Sequence, residues 1–159
     1  MSQLSCHSPV GDLTVSERDG AIVALDWGWG RDQTETPLLR RAVDQLEAYF
    51  DGDLTRFDLP LNPDGSEFER QVWFYMYAIP LGETRRYGDC AKAVNSVARA
   101  VGRACGANPI PVIIPCHRIV AANGLGGFSG AGGLETKTAL LRLEGAWSSQ
   151  PDLFGGPPA

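Results

Sequence analysis

A change of hydrophobic period at Asn62-Pro63-Asp64-Gly65 constrains this chain more than any other feature. Before that turn, apolar residues alternate as in strands and then recur as in one helix. After it, they recur mostly at helical spacing. Asn-Pro and Asp-Gly are strong chain punctuators, so neither element type runs through them. The chain of 159 residues suits one full-sized domain or two small units sharing a core. The expectation is an α+β (α/β) fold. A small sheet with one helix occupies residues 1–62, a mostly helical unit occupies 66–146, and a Pro-, Gly- and Ser-rich tail at 147–159 reads as disordered.

Within the first unit, residues 13–16 and 21–25 alternate around Asp19-Gly20, a hairpin turn signal. The glycines of Trp27-Gly28-Trp29-Gly30 fit no dinucleotide fingerprint, and the tryptophans read as packing residues. Thr36 can cap a helix that Pro37 opens and Gly52 ends, with Leu38, Leu39, Ala42, Val43, Leu46, Tyr49 and Phe50 at helical spacing. Residues 57–61 read as a short edge strand. In the second unit, Ser66 and Glu69 form a capping box ahead of a helix with Phe68, Val72, Trp73 and Met76 inward. Two short helices, about 88–94 and 97–105, flank Asn95-Ser96 and suggest a helix-turn-helix. A last helix, about 135–143, carries Leu140 and Leu141 inward and ends at Glu144-Gly145.

The net charge of −5 is unevenly spread. Residues 1–83 hold six basic and fifteen acidic side chains, a balance of −9. Residues 84–118 hold Arg85, Arg86, Lys92, Arg99, Arg103 and Arg118 against Asp89 alone, a balance of +5. Such a local patch suits a phosphate-binding face, and equally suits solvated helix charge balancing an acidic neighbour. No apolar run approaches the roughly 20 residues of a membrane helix. The N-terminus shows no secretory pattern, so a cytoplasmic protein is expected. The four cysteines include no Cys-x-x-Cys, and with two histidines no zinc-ligand spacing can be drawn. Free thiols and no metal are expected.

Pro115-Cys116-His117-Arg118 follows the apolar run at 112–114. A free thiol has a pKa of roughly 8.5, and a neighbouring base or positive face raises its reactive thiolate fraction. The histidine would need an orienting acceptor, for which Glu144 is a candidate. Taken alone, a Cys-His dipeptide fits a buried cysteine beside a satisfied histidine better than a nucleophile. Arg99 alone is more often a surface arginine, and Phe128 alone reads as core. The Gly-rich loop at 124–133 lacks the Gly-Lys-Ser/Thr of a phosphate loop. Cys90 and Cys105 read as small buried hydrophobes rather than resolving thiols.

In order, Gly82-Glu83-Thr84 with Tyr87-Gly88, Arg99-Ala100-Val101-Gly102, Asn108-Pro109-Ile110-Pro111, Ile114-Pro115-Cys116-His117-Arg118-Ile119-Val120, Gly127-Phe128-Ser129-Gly130, and Lys137 with Leu140-Leu141 and Glu144 span about residues 66–146. In this combination the chain resembles the O6-alkylguanine–DNA alkyltransferases, and residues 1–62 look like that family's RNase H-like first domain. The stretch between Tyr87 and Arg99 is shorter than the family's common form, and the loop from Gly127 to Leu134 is longer.

The resemblance implies a single-turnover DNA-repair enzyme that moves a methyl or other alkyl group from guanine O6, or thymine O4, to Cys116 without a cofactor. His117 would deprotonate Cys116 through a water, Glu144 would hold His117, Asn108 would brace the cysteine loop, and Arg118 would be structural. Tyr87 would contact the flipped nucleotide and help protonate guanine, while Arg99 would fill the gap in the duplex. Ala98, Ala100, Gly102 and Arg103 would lie near the minor groove. Ser129, Phe128 and the Ile119 carbonyl would form the base pocket. The partner implied is double-stranded DNA with alkylated guanine, bound by a monomer. The alternative is an alkyltransferase-like protein that binds alkylated bases without reacting, and Cys116 discriminates against it. Separately, Gln150, Leu153 and Phe154 look like a peptide that docks on a replication sliding clamp; chance in a short polar tail explains them equally well.

Overall fold

Asp19 and Gly20 both adopt the left-handed conformation (φ 53° and 79°), which matches the twist of a two-residue hairpin. They join β2 (Leu13–Arg18) to β3 (Ala21–Trp27). Val15 pairs with Leu25 in an antiparallel register that places both in the core. The computed structural model describes residues 1–128 and 130–146. The strand at β1 (Ser2–Cys6) was not legible in the sequence. Its polar residues carry no clear period, and hydrogen bonds place it: Gln3 Nε2 donates to Ser16 Oγ at 3.1 Å, and Ser5 Oγ donates to Thr14 Oγ1 at 2.8 Å, the Thr14 hydroxyl donating in turn to the Gly28 carbonyl. The three strands form an antiparallel sheet in the order β1-β2-β3.

Helix α1 (Pro37–Phe50) lies against β1 and β2. Thr36 caps it by accepting from the Leu39 N–H at 3.1 Å, and Leu39, Ala42, Val43, Leu46 and Tyr49 are buried. Leu38 and Phe50, also expected inward, are half-buried. The edge strand expected at 57–61 reduces to one parallel bridge, Ile22 to Leu61. The Ile22 N–H donates to the Pro60 carbonyl and the Asn62 N–H to the Ile22 carbonyl, both at 2.8 Å. Pro60 has no N–H with which to extend the ladder. Phe57 and Leu59 are nonetheless buried.

Chain contacts divide the molecule between Asp64 and Gly65. Both halves of the capping box form at Ser66 and Glu69, opening α2 (Glu67–Tyr77). Val72, Trp73 and Met76 are buried, whereas Phe68 is only half-buried. The Trp73 indole donates to the Ala104 carbonyl at 2.7 Å and so ties α2 to the backbone thirty-one positions on.

Two short helices follow, α3 (Tyr87–Ala93) and α4 (Ala98–Gly106). Asn95 makes the tight turn possible. It takes φ 58°, the Ser96 N–H returns to the Ala91 carbonyl at 2.8 Å, and its own N–H reaches the Lys92 carbonyl at 3.4 Å. That is a Schellman closure with Asn where glycine is usual. Two-residue strands β4 (Arg85–Arg86) and β5 (Ile119–Val120) pair in parallel. Helix α5 (Leu134–Leu143) closes the unit. No helix among the described residues is long and apolar enough to cross a membrane.

Candidate active site

The segment before Cys116 is a stack of turns, not an extended run. Val112, Ile113 and Ile114 are buried, and Val112 holds φ 73°, a conformation costly for a β-branched residue. Pro115 (φ −81°, ψ 69°) sits at the centre of an inverse γ-turn in which the Cys116 N–H donates to the Ile114 carbonyl at 2.8 Å. Asn108 locks this turn. Its Nδ2 donates to the same carbonyl at 2.9 Å, while its Oδ1 accepts from the Ile110 N–H at 3.0 Å. Cys116–Arg118 then forms a single 3-10 turn. Two neighbouring side chains that would point opposite ways in extended chain are here wound into one helical turn.

Behind the cysteine lies a buried acid–base group. His117 and Glu144 have no side-chain exposure, and His117 Nε2 meets Glu144 Oε2 at 2.6 Å. Arg118 donates from Nε to Glu144 Oε1 at 2.8 Å, from Nη2 to Oε2 at 3.1 Å, and from Nη1 to the Ile79 carbonyl at 2.6 Å. Burial would raise the Glu144 pKa, but the bonds from His117 and Arg118 outweigh it and hold the carboxyl down to about 2. Burial lowers the His117 pKa against the pull of Glu144. A neutral imidazole facing a carboxylate carries its proton on Nε2, which leaves Nδ1 as a lone-pair acceptor. Nδ1 is buried and has no protein partner among the described residues. Burial raises the Cys116 pKa too, opposed by the Asn108 side chain, Lys137 and local N–H groups. The resting sulfur is therefore a thiol that needs a base.

Two consecutive side chains of α5 hold the loop between β5 and α5. The Thr136 hydroxyl donates to the Ala131 carbonyl. Lys137 Nζ donates to the Ile119 carbonyl at 2.7 Å and the Gly127 carbonyl at 2.9 Å. The Tyr87 ring presses on the same loop, and a Cβ on Gly126 would lie 2.8 Å from it. The Gly127 backbone bonds the Tyr87 phenol oxygen, while burial raises that phenol's pKa.

These elements enclose an open cleft of about 810 Å³. Cys116 opens into it beside Tyr87, Phe128, Gly102 and Cys105, and Arg86, Lys92 and Arg99 stand around it. Ala98 and Arg99, on the first turn of α4, are exposed. Arg103 is exposed and Ala100 half-buried, and neither lines this cleft. Ile119 is fully buried, and Lys137 already occupies its carbonyl, which has a second lone pair. Ser129, Gln150, Leu153 and Phe154 lie outside the described residues. Cys90 and Cys105 are both buried, but Cys105 also lines the cleft. Lys137 was quoted in the sequence motif without a place in the site. Its signal was positional: Lys137, Leu140, Leu141 and Glu144 share one inward stripe at helical spacing, and two of the four are charged.

A thiol backed by a buried His-Glu pair, opening into a basic cleft beside a helix-turn-helix, defines the class of a covalent nucleophile presented to a nucleic acid. Comparison with known proteins narrows the class. The model of the 6-O-methylguanine DNA methyltransferase DNA-binding domain matches residues 67–146, and that of the same family's ribonuclease-like domain matches residues 4–63. A methylated-DNA–protein-cysteine methyltransferase of Mycolicibacterium paratuberculosis is 45% identical over 151 residues, covering 86% of this chain and 88% of that one. A namesake from Methanosarcina acetivorans is 41% identical, covering 88% and 96%. The crystal structure of Mycobacterium tuberculosis OGT in complex with DNA superposes with a TM-score of 0.82 at 40% identity, covering 92% and 94%. The chain belongs to the 6-O-methylguanine DNA methyltransferase family.

Proposed function

We propose that this protein repairs DNA by transferring an alkyl group irreversibly from guanine O6 to the sulfur of Cys116, once per molecule. The observation that carries this reading is the placement of Cys116, which opens into the basic cleft with the His117–Glu144 pair directly behind it. His117 Nδ1 takes the thiol proton through a bridging water. The sulfur attacks the alkyl carbon, the S–C bond forms as the C–O6 bond breaks, and a proton passes to the departing guanine with help from Tyr87. The thiol proton is thus balanced by the proton guanine gains, and no cofactor enters. The reaction leaves a thioether, which no group in the site can cleave. Asn108 holds the turn that aims Cys116.

O6 lies within the stacked duplex, so the nucleotide must be extruded at a cost of a few kcal/mol. Arg99, exposed at the start of α4, fills the gap, and small residues at Ala98, Ala100 and Gly102 let the helix approach the minor groove, with Arg103 beside the backbone. Phe128, Ser129 and the Ile119 carbonyl flank the base. The non-reacting, alkyl-base-binding alternative is disfavoured because the acceptor cysteine is present.

The chemistry belongs to residues 66–146, with 1–62 as a supporting unit, and the protein acts in the cytoplasm as a monomer. Gln150, Leu153 and Phe154 dock it on a sliding clamp; loss of binding to purified clamp on replacing Leu153 and Phe154 tests this. The central test is intact mass after incubation with an O6-methylguanine duplex. One methyl gained by wild type and none by Cys116→Ala is expected. DNA binding without any gain in mass would overturn the proposal.

A further inference from the structure

The fold sorts the basic stretch at 84–118 into used and free charge. Arg118 is buried on Glu144. Arg85 donates to Glu83 Oε1 and to the Thr84 carbonyl, both at 3.0 Å. Arg86, Lys92 and Arg99 make no ion pair and no side-chain hydrogen bond among the described residues. All three are exposed, and all three line the cleft into which Cys116 opens. Arg99 already has its place in the duplex gap, which leaves Arg86 and Lys92 without a task. Strand geometry explains why two adjacent arginines differ. Successive side chains of β4 point opposite ways, so Arg85 turns to Glu83 while Arg86 stands on the cleft rim. The Arg86 backbone is fixed: the residue pairs with Val120 of β5, and its N–H donates to Asp89 Oδ2 at 3.0 Å. Asp89 is an acid on the same rim, and that N–H engages its carboxylate. A solvated cation on a fixed backbone, with no internal bond to break, suits a phosphate, because binding then releases counterions at little cost to the protein.

We propose that Arg86 and Lys92 form a phosphate clamp on the DNA strand that carries the extruded nucleotide, gripping its backbone beside the lesion while Tyr87 meets the nucleotide itself. This deepens the alkyl-transfer reading and rests on it for the role of Tyr87, which directly follows Arg86. Lys92 stands six positions beyond Arg86, about 9 Å along α3 at helical rise. Phosphates of one strand succeed each other every 3.4 Å or so, roughly, along the duplex axis, so the two cations take different phosphates. Extrusion turns a nucleotide about its own backbone, and the phosphates on either side of it must follow that turn. Cations anchored beside Tyr87 hold the strand in the turned form. The two helices thus divide the work: α4 sends Arg99 into the duplex, and the α3 side of the cleft holds the backbone.

Salt titration of binding to an O6-methylguanine duplex tests the clamp, with every protein carrying Cys116→Ala so that nothing reacts. Arg86→Gln and Lys92→Gln should each reduce the slope of log K against log salt by about 0.9, and the double variant by about 1.8. At 0.1 M salt each single change should weaken binding by about eightfold, the factor that such a slope accumulates over the decade below 1 M. Arg85→Gln removes the same charge one residue away, from an arginine that already has its partners, and should leave the slope unchanged. Neutral methylphosphonates at the two phosphates flanking the lesion locate the contact. In the damaged strand they should weaken binding when Arg86 is present and cost little more in Arg86→Gln. In the complementary strand their cost should add to that of Arg86→Gln. Both side chains are exposed and unbonded, so the thermal midpoint should stay in place. An unchanged slope in either single variant, an equal fall in Arg85→Gln, or additive losses on the damaged strand overturns the proposal. Methyl transfer is read separately, by the intact mass of protein that keeps Cys116. Its failure would strike the functional reading, whereas unchanged slopes beside a normal gain of methyl would strike the clamp alone.

Discussion

Replacing Glu144 with Gln removes a charge and keeps the shape. The carboxylate has no exposure and accepts from His117 and from both Arg118 donors at 2.6 to 3.1 Å. Its pKa, which burial alone would raise, is held by these partners down to about 2 from 4.5. That gap corresponds to about 3 kcal/mol at roughly 1.4 kcal/mol per unit. Breaking a buried ion pair by deleting one partner costs about 3–5 kcal/mol, so two independent routes agree on size. In a unit of this length a loss of 3 kcal/mol lowers the thermal midpoint by about 12 °C or more. The sign with pH is fixed. A carboxyl whose folded pKa is depressed contributes stability above its unfolded pKa near 4.5, and the contribution is lost as pH falls toward 2. The gap between wild type and Glu144→Gln should therefore be full at pH 7 and close as the acid range is entered. Chemistry suffers separately. The Gln oxygen is claimed by Arg118, which turns the amide N–H groups to His117 Nε2 and drives the imidazole proton onto Nδ1. Loss of that base should slow methyl transfer by about 100-fold or more. Thermal unfolding by circular dichroism and a single-turnover intact-mass time course read both effects. An unchanged midpoint, a gap that persists undiminished at low pH, or wild-type transfer would refute the reasoning.

Asn108→Ala removes the brace on the Ile114 carbonyl and the Ile110 N–H; it should cost about 1–3 kcal/mol in urea unfolding and slow transfer, and an unchanged rate would remove Asn108 from the site. Arg99→Ala, at an exposed position, should leave stability within about 0.5 kcal/mol while lowering transfer from duplex DNA far more than from the free alkylated base; equal losses on both would argue against duplex insertion. Burial raises the thiols of Cys6 and Cys90 to about 11 and of Cys105 to about 12, above an ordinary 9.0. Their contribution is present below pH 9 and lost as pH rises through 11 to 12, while Lys137, lowered to about 8, opposes it from pH 8 to 10.5. With four raised thiols, Cys116 among them, against one amine, the thermal midpoint should drop above pH 9, and a flat profile to pH 11 would refute this assignment.

Local chemistry made much of the fold legible. The Asp19-Gly20 hairpin, the Thr36 and Ser66 caps and the Asn95-Ser96 helix break each depend on residues within a few positions of one another. Elements that depend on distant partners were not legible. Strand β1 exists because β2 offers Thr14 and Ser16, and residues 57–61 lose their strand because Pro60 cannot donate to Ile22's neighbours. Strands β4 and β5 are two residues long and pair across more than thirty positions, below any periodic signal.

The candidate site divides the same way. Residue type and spacing raised Cys116, His117 and Glu144 as candidates, and the order of the motifs, through the family it resembles, added Asn108, Tyr87 and Arg99. They did not determine how the charges pair. Only the tertiary structure shows that Arg118, twenty-six positions from Glu144, grips both carboxylate oxygens, that the Cys116 turn is curled rather than extended, and that Lys137 points inward without a carboxylate. The reason is physical. Motifs are set by neighbours along the chain, whereas desolvation and ion pairing depend on which surfaces packing brings together and closes to water.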